Sequence, residues 1–119
     1  MPYIQGFLSP VPVDQKAAYI EMAEKAWPIF QDYGALSTRE CWGEDVPDGE
    51  HTSFPMAVKA EKGEVVAFSW IEWRDKAAYE ACAASMETDP RWQEMGDPSD
   101  APFDMKRMMW GGFEVIFNR

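Results

Sequence analysis

Cationic side chains are scarce in this sequence of 119 residues. Lysine and arginine number 11 against 21 aspartates and glutamates, which gives a formal net charge of −10 at pH 7. Nucleic acids and anionic lipid surfaces are bound chiefly by clustered cations. A nucleic-acid partner is therefore disfavoured, and we expect no attachment to a membrane.

Cysteine and histidine are also rare. Cys41 and Cys82 have no CxxC spacing, which favours two free buried thiols over a zinc or redox site. With His51 as the only histidine, no convincing Ser-His-Asp set can be assembled, and the chain has no glycine-rich phosphate loop. Hydrolase and kinase functions are disfavoured, and we predict no metal and no cofactor.

Long apolar runs are absent as well. No segment is apolar over the length needed to span a bilayer, and the first ten residues have neither a basic start nor an extended apolar stretch. We therefore expect a cytoplasmic protein.

Aromatic side chains, in contrast, are abundant, with six tryptophans, seven phenylalanines and four tyrosines. A chain of 119 residues is long enough to bury a core without disulfides or a structural metal. We expect one domain over residues 1–119, with many large side chains in its core.

The stretch 64–79 is central to the predicted fold. Its β-branched and aromatic residues favour a strand over 65–73, and Asp75 is a suitable N-cap for a helix over 76–86. The tetrapeptide Lys-Ala-Ala-Tyr at 76–79 also occurs at 16–19, in a segment with apolar residues at helical spacing. Two similar halves, each a strand followed by a helix, predict a duplicated βαβ unit and the order βαββαβ.

Prolines and glycines indicate where the first elements end. Pro10 and Pro12 are expected to end a first strand over 3–8, because proline cannot donate to a β-ladder. Pro28 is expected to kink the first helix, which begins at about Asp14, and Gly34 is expected to end it.

A long connector, 43–63, separates a second strand over 36–42 from the central strand. A hairpin needs only a few residues, so a connector of this length holds an embedded element or a functional loop. Thr52 or Ser53, followed by Pro55, predicts one capped helical turn. The connector is interpreted either as a packing lid over a sheet edge or as a substrate loop.

The last strand is predicted from Met105, after a short helix that begins at Asp89-Pro90. Both faces of this strand are largely apolar. Two helices cover only one face of a four-stranded sheet, so the other apolar face needs a second cover. We expect that cover to be a second copy of the same sheet, in a homodimer.

Three segments of the sequence resemble the YbaA-like family, a bacterial family of unknown function. They are the opening Tyr3-x-x-Gly6-Phe7, the segment 45–58 that starts Asp45-Val46-Pro47-Asp48-Gly49, and the segment 102–114 that ends Gly111-Gly112-Phe113-Glu114. The resemblance covers nearly the whole chain. It implies an α+β, ferredoxin-like fold of the dimeric α/β-barrel superfamily, with a four-stranded antiparallel sheet. That superfamily includes monooxygenases of antibiotic biosynthesis, haem-degrading enzymes and small stress-response barrels, but no catalytic residue can be transferred to this chain.

Eight side chains are candidates for ligand binding: Arg39, Glu40, His51, Trp70, Arg74, Lys106, Arg107 and Trp110. Lys106 and Arg107 beside Trp110 suit an anionic ligand by charge and stacking, but they also suit simple neutralisation of nearby carboxylates. Trp70 and Trp73 lie on opposite faces of the central strand, with core packing as the default for both.

The resemblance places Arg39, Glu40, Glu72 and Arg74 near a barrel mouth, where they are candidates for a polar cluster. His51 lies among carboxylates in the connector, but one imidazole in an acidic loop is more typical of a solvated side chain than of a metal or haem ligand.

Three functions follow from these patterns. The first is a homodimer that binds a small apolar or aromatic molecule, either between the sheet and the helices or in the dimer barrel. The alternative is a cofactor-poor monooxygenase-like enzyme that acts on an electron-rich aromatic. The second alternative is a protein or RNA interaction module, supported only by the closeness of Arg91, Trp92, Lys106 and Arg107. Whether the protein is an enzyme is left open.

Overall fold

The fold is built from two layers, a sheet and a set of helices, in a computed structural model that describes all residues 1–119. The strands are β1 (Tyr3–Pro12), β2 (Ala35–Trp42), β3 (Glu64–Trp73) and β4 (Met109–Glu114). The α-helices are α1 (Lys16–Asp32), α2 (Phe54–Ala57), α3 (Lys76–Ser85) and α4 (Pro90–Glu94). None of the helices is long and apolar enough to cross a lipid bilayer.

The four strands form one antiparallel sheet in the order β2-β3-β1-β4. The two central strands, β1 and β3, pair along ten residues, from Tyr3 opposite Trp73 to Pro12 opposite Glu64. This confirms the predicted βαββαβ order and the four-stranded sheet. Gly34, with φ of 109°, ends α1 as predicted.

The prediction that the first strand ends at Leu8, before Pro10 and Pro12, is wrong, because β1 runs as far as Pro12 and includes both prolines. β4 pairs only with Tyr3 to Leu8, so beyond Leu8 the strand has β3 as its single neighbour. One side of the backbone needs no donor there, and proline is tolerated. α1 likewise runs without interruption from Lys16 to Asp32 with Pro28 inside it.

The last strand begins later than predicted. Residues Met105–Arg107 form a 3-10 turn, and the strand starts only at Met109. Asp104 caps this turn, since its Oδ1 accepts a hydrogen bond from the backbone N–H of Lys106 at 3.0 Å. A capped turn satisfies these backbone groups locally, which removes the need for strand pairing.

The sheet has a helix face and an open face. Val11, Ala67, Ile71 and Trp73 are buried on the helix face, in two clusters with α1, α3 and Phe103. The opposite face, which we call the open face, carries the alternate side chains of the same strands. Large apolar residues on it are exposed: Phe68 by 45%, Met109 by 47% and Phe113 by 60%.

The cysteines differ in burial. Cys82 in α3 is buried, as predicted, but Cys41 in β2 is exposed. β2 is an edge strand of the sheet, so its alternate side chains lack a neighbouring strand on one side. The prediction of two buried thiols is therefore wrong for Cys41.

The connector 43–63 packs at one end of the sheet. Ser53 caps α2, because its Oγ accepts a hydrogen bond from the N–H of Met56 at 3.1 Å, as predicted for this turn. Val58 is only 1% exposed, and Phe54 lies edge-on to Phe68 at 6.2 Å between ring centroids. The connector thus covers part of the open face.

Candidate functional site

A large cavity lies between the helix face of the sheet and α1, and the segment 86–108 closes its far side. Its volume is about 790 Å³, and most of the side chains that line it are hydrophobic. We call it the sheet–helix cavity. A cavity of this size and lining is typical of small-molecule sites.

The floor of the cavity is formed by side chains that alternate onto the helix face of three strands. A row runs across the sheet from Glu40 through Ser69 to Phe7, since these residues are cross-strand partners. Ser9 and Ser69 are both buried and lie in the floor. Because their side chains are small, the space above the centre of the sheet stays unfilled.

One charged side chain, Glu40, projects from the floor. The phenol Oη of Tyr19 in α1 donates a hydrogen bond to its Oε1 at 2.5 Å. Tyr19 is only 5% exposed, whereas Glu40 is exposed, because it faces the open cavity. The pair links the first turn of α1 to an edge strand and places a carboxylate in apolar surroundings.

The surroundings shift the protonation of both groups. Burial raises the pKa of the Glu40 carboxyl, and hydrogen bonds with Tyr19 and Ser69 offset part of that rise. Burial, followed by the charge of Glu40 and the hydrogen bond to it, raises the pKa of Tyr19 far above its usual value. The Tyr19 hydroxyl therefore stays protonated and remains a hydrogen-bond donor. The Glu40 carboxyl binds a proton more readily than that of an ordinary glutamate.

The walls of the cavity are aromatic. Phe30 packs against Trp92 at 5.1 Å and against Trp73 at 6.0 Å between ring centroids. Trp92 is fixed further because its Nε1–H donates to Oγ of Ser85 at 2.9 Å. Trp27 lines the same space. Held rings of this kind offer flat apolar surface to a ring-containing molecule.

The structure places only Glu40, among the eight predicted candidates, in this cavity. Arg39 and Trp70 face each other as cross-strand partners, and the alternation of β2 puts Arg39 on the face opposite to Glu40. The predicted polar cluster of Arg39, Glu40, Glu72 and Arg74 is therefore not formed as one group. Arg74 lies near Asp75 instead, with Nε at 3.6 Å from Oδ2.

The remaining candidates are dispersed. His51 is exposed in the connector, Trp110 is 55% exposed on the edge strand β4, and Lys106 is exposed in the 3-10 turn. Arg107 is engaged in structure, because its guanidinium pairs with Glu64 at 2.7 Å and with Asp104 at 2.9 Å.

Arg91 is similarly engaged, with Asp32 at 2.6 Å and Asp89 at 2.8 Å. Two of the three cations that suggested an interaction module are thus neutralised by the chain itself. No group of three or more histidine, cysteine, aspartate or glutamate side chains is arranged to hold a metal ion.

Sequence reasoning did not single out Tyr19, Ser9 or Ser69 as site residues. Tyr19 belongs to the apolar stripe of α1, where a tyrosine is an ordinary core residue. The usable signal was the adjacent pair Arg39 and Glu40, because strand alternation requires one of two adjacent charges to face the helices. A hydroxyl donor on the covering helix is a partner that a carboxylate on the helix face of the sheet needs.

The architecture is shared with solved structures of low sequence identity. A dimeric ferredoxin-like protein from an uncultured marine organism superposes with a TM-score of 0.55 at 14% identity, over 100% of both chains. An uncharacterized NIPSNAP domain protein from Burkholderia xenovorans gives a TM-score of 0.59 at 15% identity, over 98% of both chains. At such identities the likeness concerns the fold alone. The chain has a ferredoxin-like fold, as predicted.

The sequence relationship is closer. The chain belongs to the DUF1428 family, a family of proteins of unknown function, whose profile matches residues 2–105. It is 52% identical over 118 residues to the uncharacterized protein YbaA of Escherichia coli K12, with 99% of both chains covered. The resemblance inferred from three short segments is thereby confirmed.

Proposed function

We propose that this protein binds a small, largely apolar, ring-containing molecule in the sheet–helix cavity. The observation that carries the proposal is the cavity itself, about 790 Å³ with aromatic walls and a single carboxylate–phenol pair in its floor. Apolar walls provide affinity through burial of surface, and a few fixed polar groups provide orientation. Glu40 would accept a hydrogen bond from the ligand.

The proposal includes a homodimer formed through the open face. Phe68, Met109 and Phe113 leave an apolar surface that the connector covers only at one end. Contiguous apolar surface of this kind is typical of interaction sites. The marine ferredoxin-like protein of the same fold is described as dimeric, which supports the same assembly for this chain.

The test of ligand binding is a titration with N-phenylnaphthylamine, a neutral probe whose fluorescence rises in apolar sites. We expect saturable binding that is lost in Ala23→Trp, because Ala23 lines the cavity and a tryptophan there fills it.

The matched control is Ala17→Trp, which places the same side chain at an exposed position of α1 outside the cavity. Binding that is absent from the parent protein, or that both tryptophan variants retain, contradicts the proposal. Circular dichroism of both variants verifies that each is folded.

A further inference from the structure

We infer that the molecule held in the sheet–helix cavity is an organic cation, an amine attached to an aromatic ring system, with its ammonium group against Glu40. The inference rests on the proposed function and specifies the class of ligand. It follows from the charged side chains that line the cavity, because negative groups there outnumber positive ones and Glu40 has no cationic partner in the chain.

Glu40 has no cationic partner within the chain. The ion pairs of the structure use other carboxylates, namely Glu21, Asp32, Glu64, Asp75, Asp89 and Asp104. The hydrogen-bond donors to Glu40 are neutral hydroxyls, chiefly the phenol of Tyr19 at 2.5 Å. Glu40 is thus a solvent-reachable carboxylate beside mostly apolar lining, and a ligand ammonium group would supply the counter-charge that the chain does not.

The other charged side chains that line the cavity are also mainly negative. Glu21, Asp97 and Asp100 line it against a single cation, Lys25, which lies 3.4 Å from Glu21. The whole chain carries a formal net charge of −10. Such a potential attracts cations to the cavity and repels anions of the same shape.

The walls favour an organic cation over a metal ion. Aromatic rings of Phe7, Trp27, Phe30 and Trp92 line the cavity and offer cation–π contacts to an ammonium group. A metal ion prefers several oxygen, nitrogen or sulfur donors, and no such group is arranged in the chain.

The experiment compares three probes that share one ring system: naphthylmethylamine, naphthylmethanol and naphthoate. Isothermal titration calorimetry at one ionic strength gives the dissociation constant of each probe. We expect the amine to bind about tenfold more tightly than the alcohol, as for a charge-assisted over a neutral hydrogen bond, and naphthoate to bind most weakly. Glu40→Gln is expected to bind the amine no more tightly than the alcohol, while its affinity for the alcohol is unchanged.

Glu24→Gln is the matched control, because Glu24 is an exposed glutamate of α1 outside the cavity and its loss changes net charge equally. Equal affinity of amine and alcohol overturns the inference and leaves the proposed function standing. A preference that persists in Glu40→Gln overturns the assignment to Glu40. Failure of all three probes and of N-phenylnaphthylamine overturns the proposed function itself, and the inference with it.

Discussion

At the scale of single residues, the hydrogen bond between Tyr19 and Glu40 is what distinguishes this cavity from ordinary core. Tyr19 is buried, yet its hydroxyl is directed to a carboxylate rather than to a backbone carbonyl. A phenol that donates to a charged acceptor contributes more than a neutral pair. The pair therefore matters both to ligand orientation and to stability.

We expect Tyr19→Phe to lower the free energy of unfolding by about 1–2 kcal/mol at neutral pH, because ionised Glu40 loses its donor. The hydrogen bond from Tyr19 lowers the pKa of Glu40, so its removal raises that pKa further. The variant then binds more protons in the folded state, and its deficit should shrink as pH falls through the pKa of Glu40.

Urea unfolding at several pH values measures this deficit. Tyr3→Phe is the control, since Tyr3 lies outside the cavity and packs on Tyr79 with ring centroids 5.1 Å apart. A deficit in Tyr19→Phe that is constant with pH contradicts the link to Glu40.

At the scale of elements, the turn Met105–Arg107 joins parts of the chain that are distant in sequence. Arg107 pairs with Glu64 at the start of β3 through two contacts of 2.7 Å, and its Nη1–H donates to the carbonyl of Lys59 at 2.9 Å. These contacts fix the end of the connector beside the last strand. A bidentate guanidinium–carboxylate pair is specific in geometry as well as in charge.

We expect Arg107→Gln to lower the melting temperature by several degrees, because three contacts are lost together and Glu64 is left without its partner. Hydrogen bonds from Arg107 lower the pKa of Glu64, so this contribution is present above the ordinary glutamate pKa and lost as pH falls through the lowered one. The difference in melting temperature between Arg107→Gln and the parent protein should therefore become smaller at acidic pH.

Differential scanning calorimetry at neutral and acidic pH measures both effects. Lys106→Gln removes a neighbouring positive charge from an exposed side chain and serves as the control. Equal melting temperatures for the two variants argue against a structural role of Arg107.

At the scale of the whole molecule, the open face determines the expected assembly. Phe68, one of its exposed phenylalanines, lies on β3, a central strand whose backbone groups pair with β1 and β2 on either side. A partner would therefore be held by packing of side chains and not by added strand pairing. This is the arrangement in which a second sheet stacks on the first.

We expect the parent protein to have the mass of two chains in solution and Phe68→Glu to have the mass of one. A carboxylate placed between two stacked sheets loses its water without gaining a partner. Light scattering after size-exclusion chromatography measures the mass.

The control is Ile20→Glu on α1, because Ile20 and Phe68 are each 45% exposed but lie on opposite sides of the molecule. A monomeric parent protein, or dissociation by both variants, contradicts dimerisation through the open face.

Elements with local signals could be predicted from the sequence alone. β-Branched and aromatic residues identified the central strand, and capping residues identified helix starts: Asp75 caps α3 through the N–H of Ala78 at 2.8 Å, and Asp89 caps α4. The family resemblance added the ferredoxin-like fold with its antiparallel sheet. The positions of Pro10 and Pro12 could not be judged locally, since they depend on how far a distant strand extends along β1.

The candidate site, in contrast, depends on contacts between distant parts of the chain. Of the predicted candidates it brings Glu40 into the cavity and leaves Arg39, His51 and Trp110 elsewhere. The contact between Glu40 and Tyr19 joins residues 21 positions apart on different elements. Caps and alternation act within a few residues and can be read along the chain, whereas a cavity forms where distant side chains are too small to fill the space between layers.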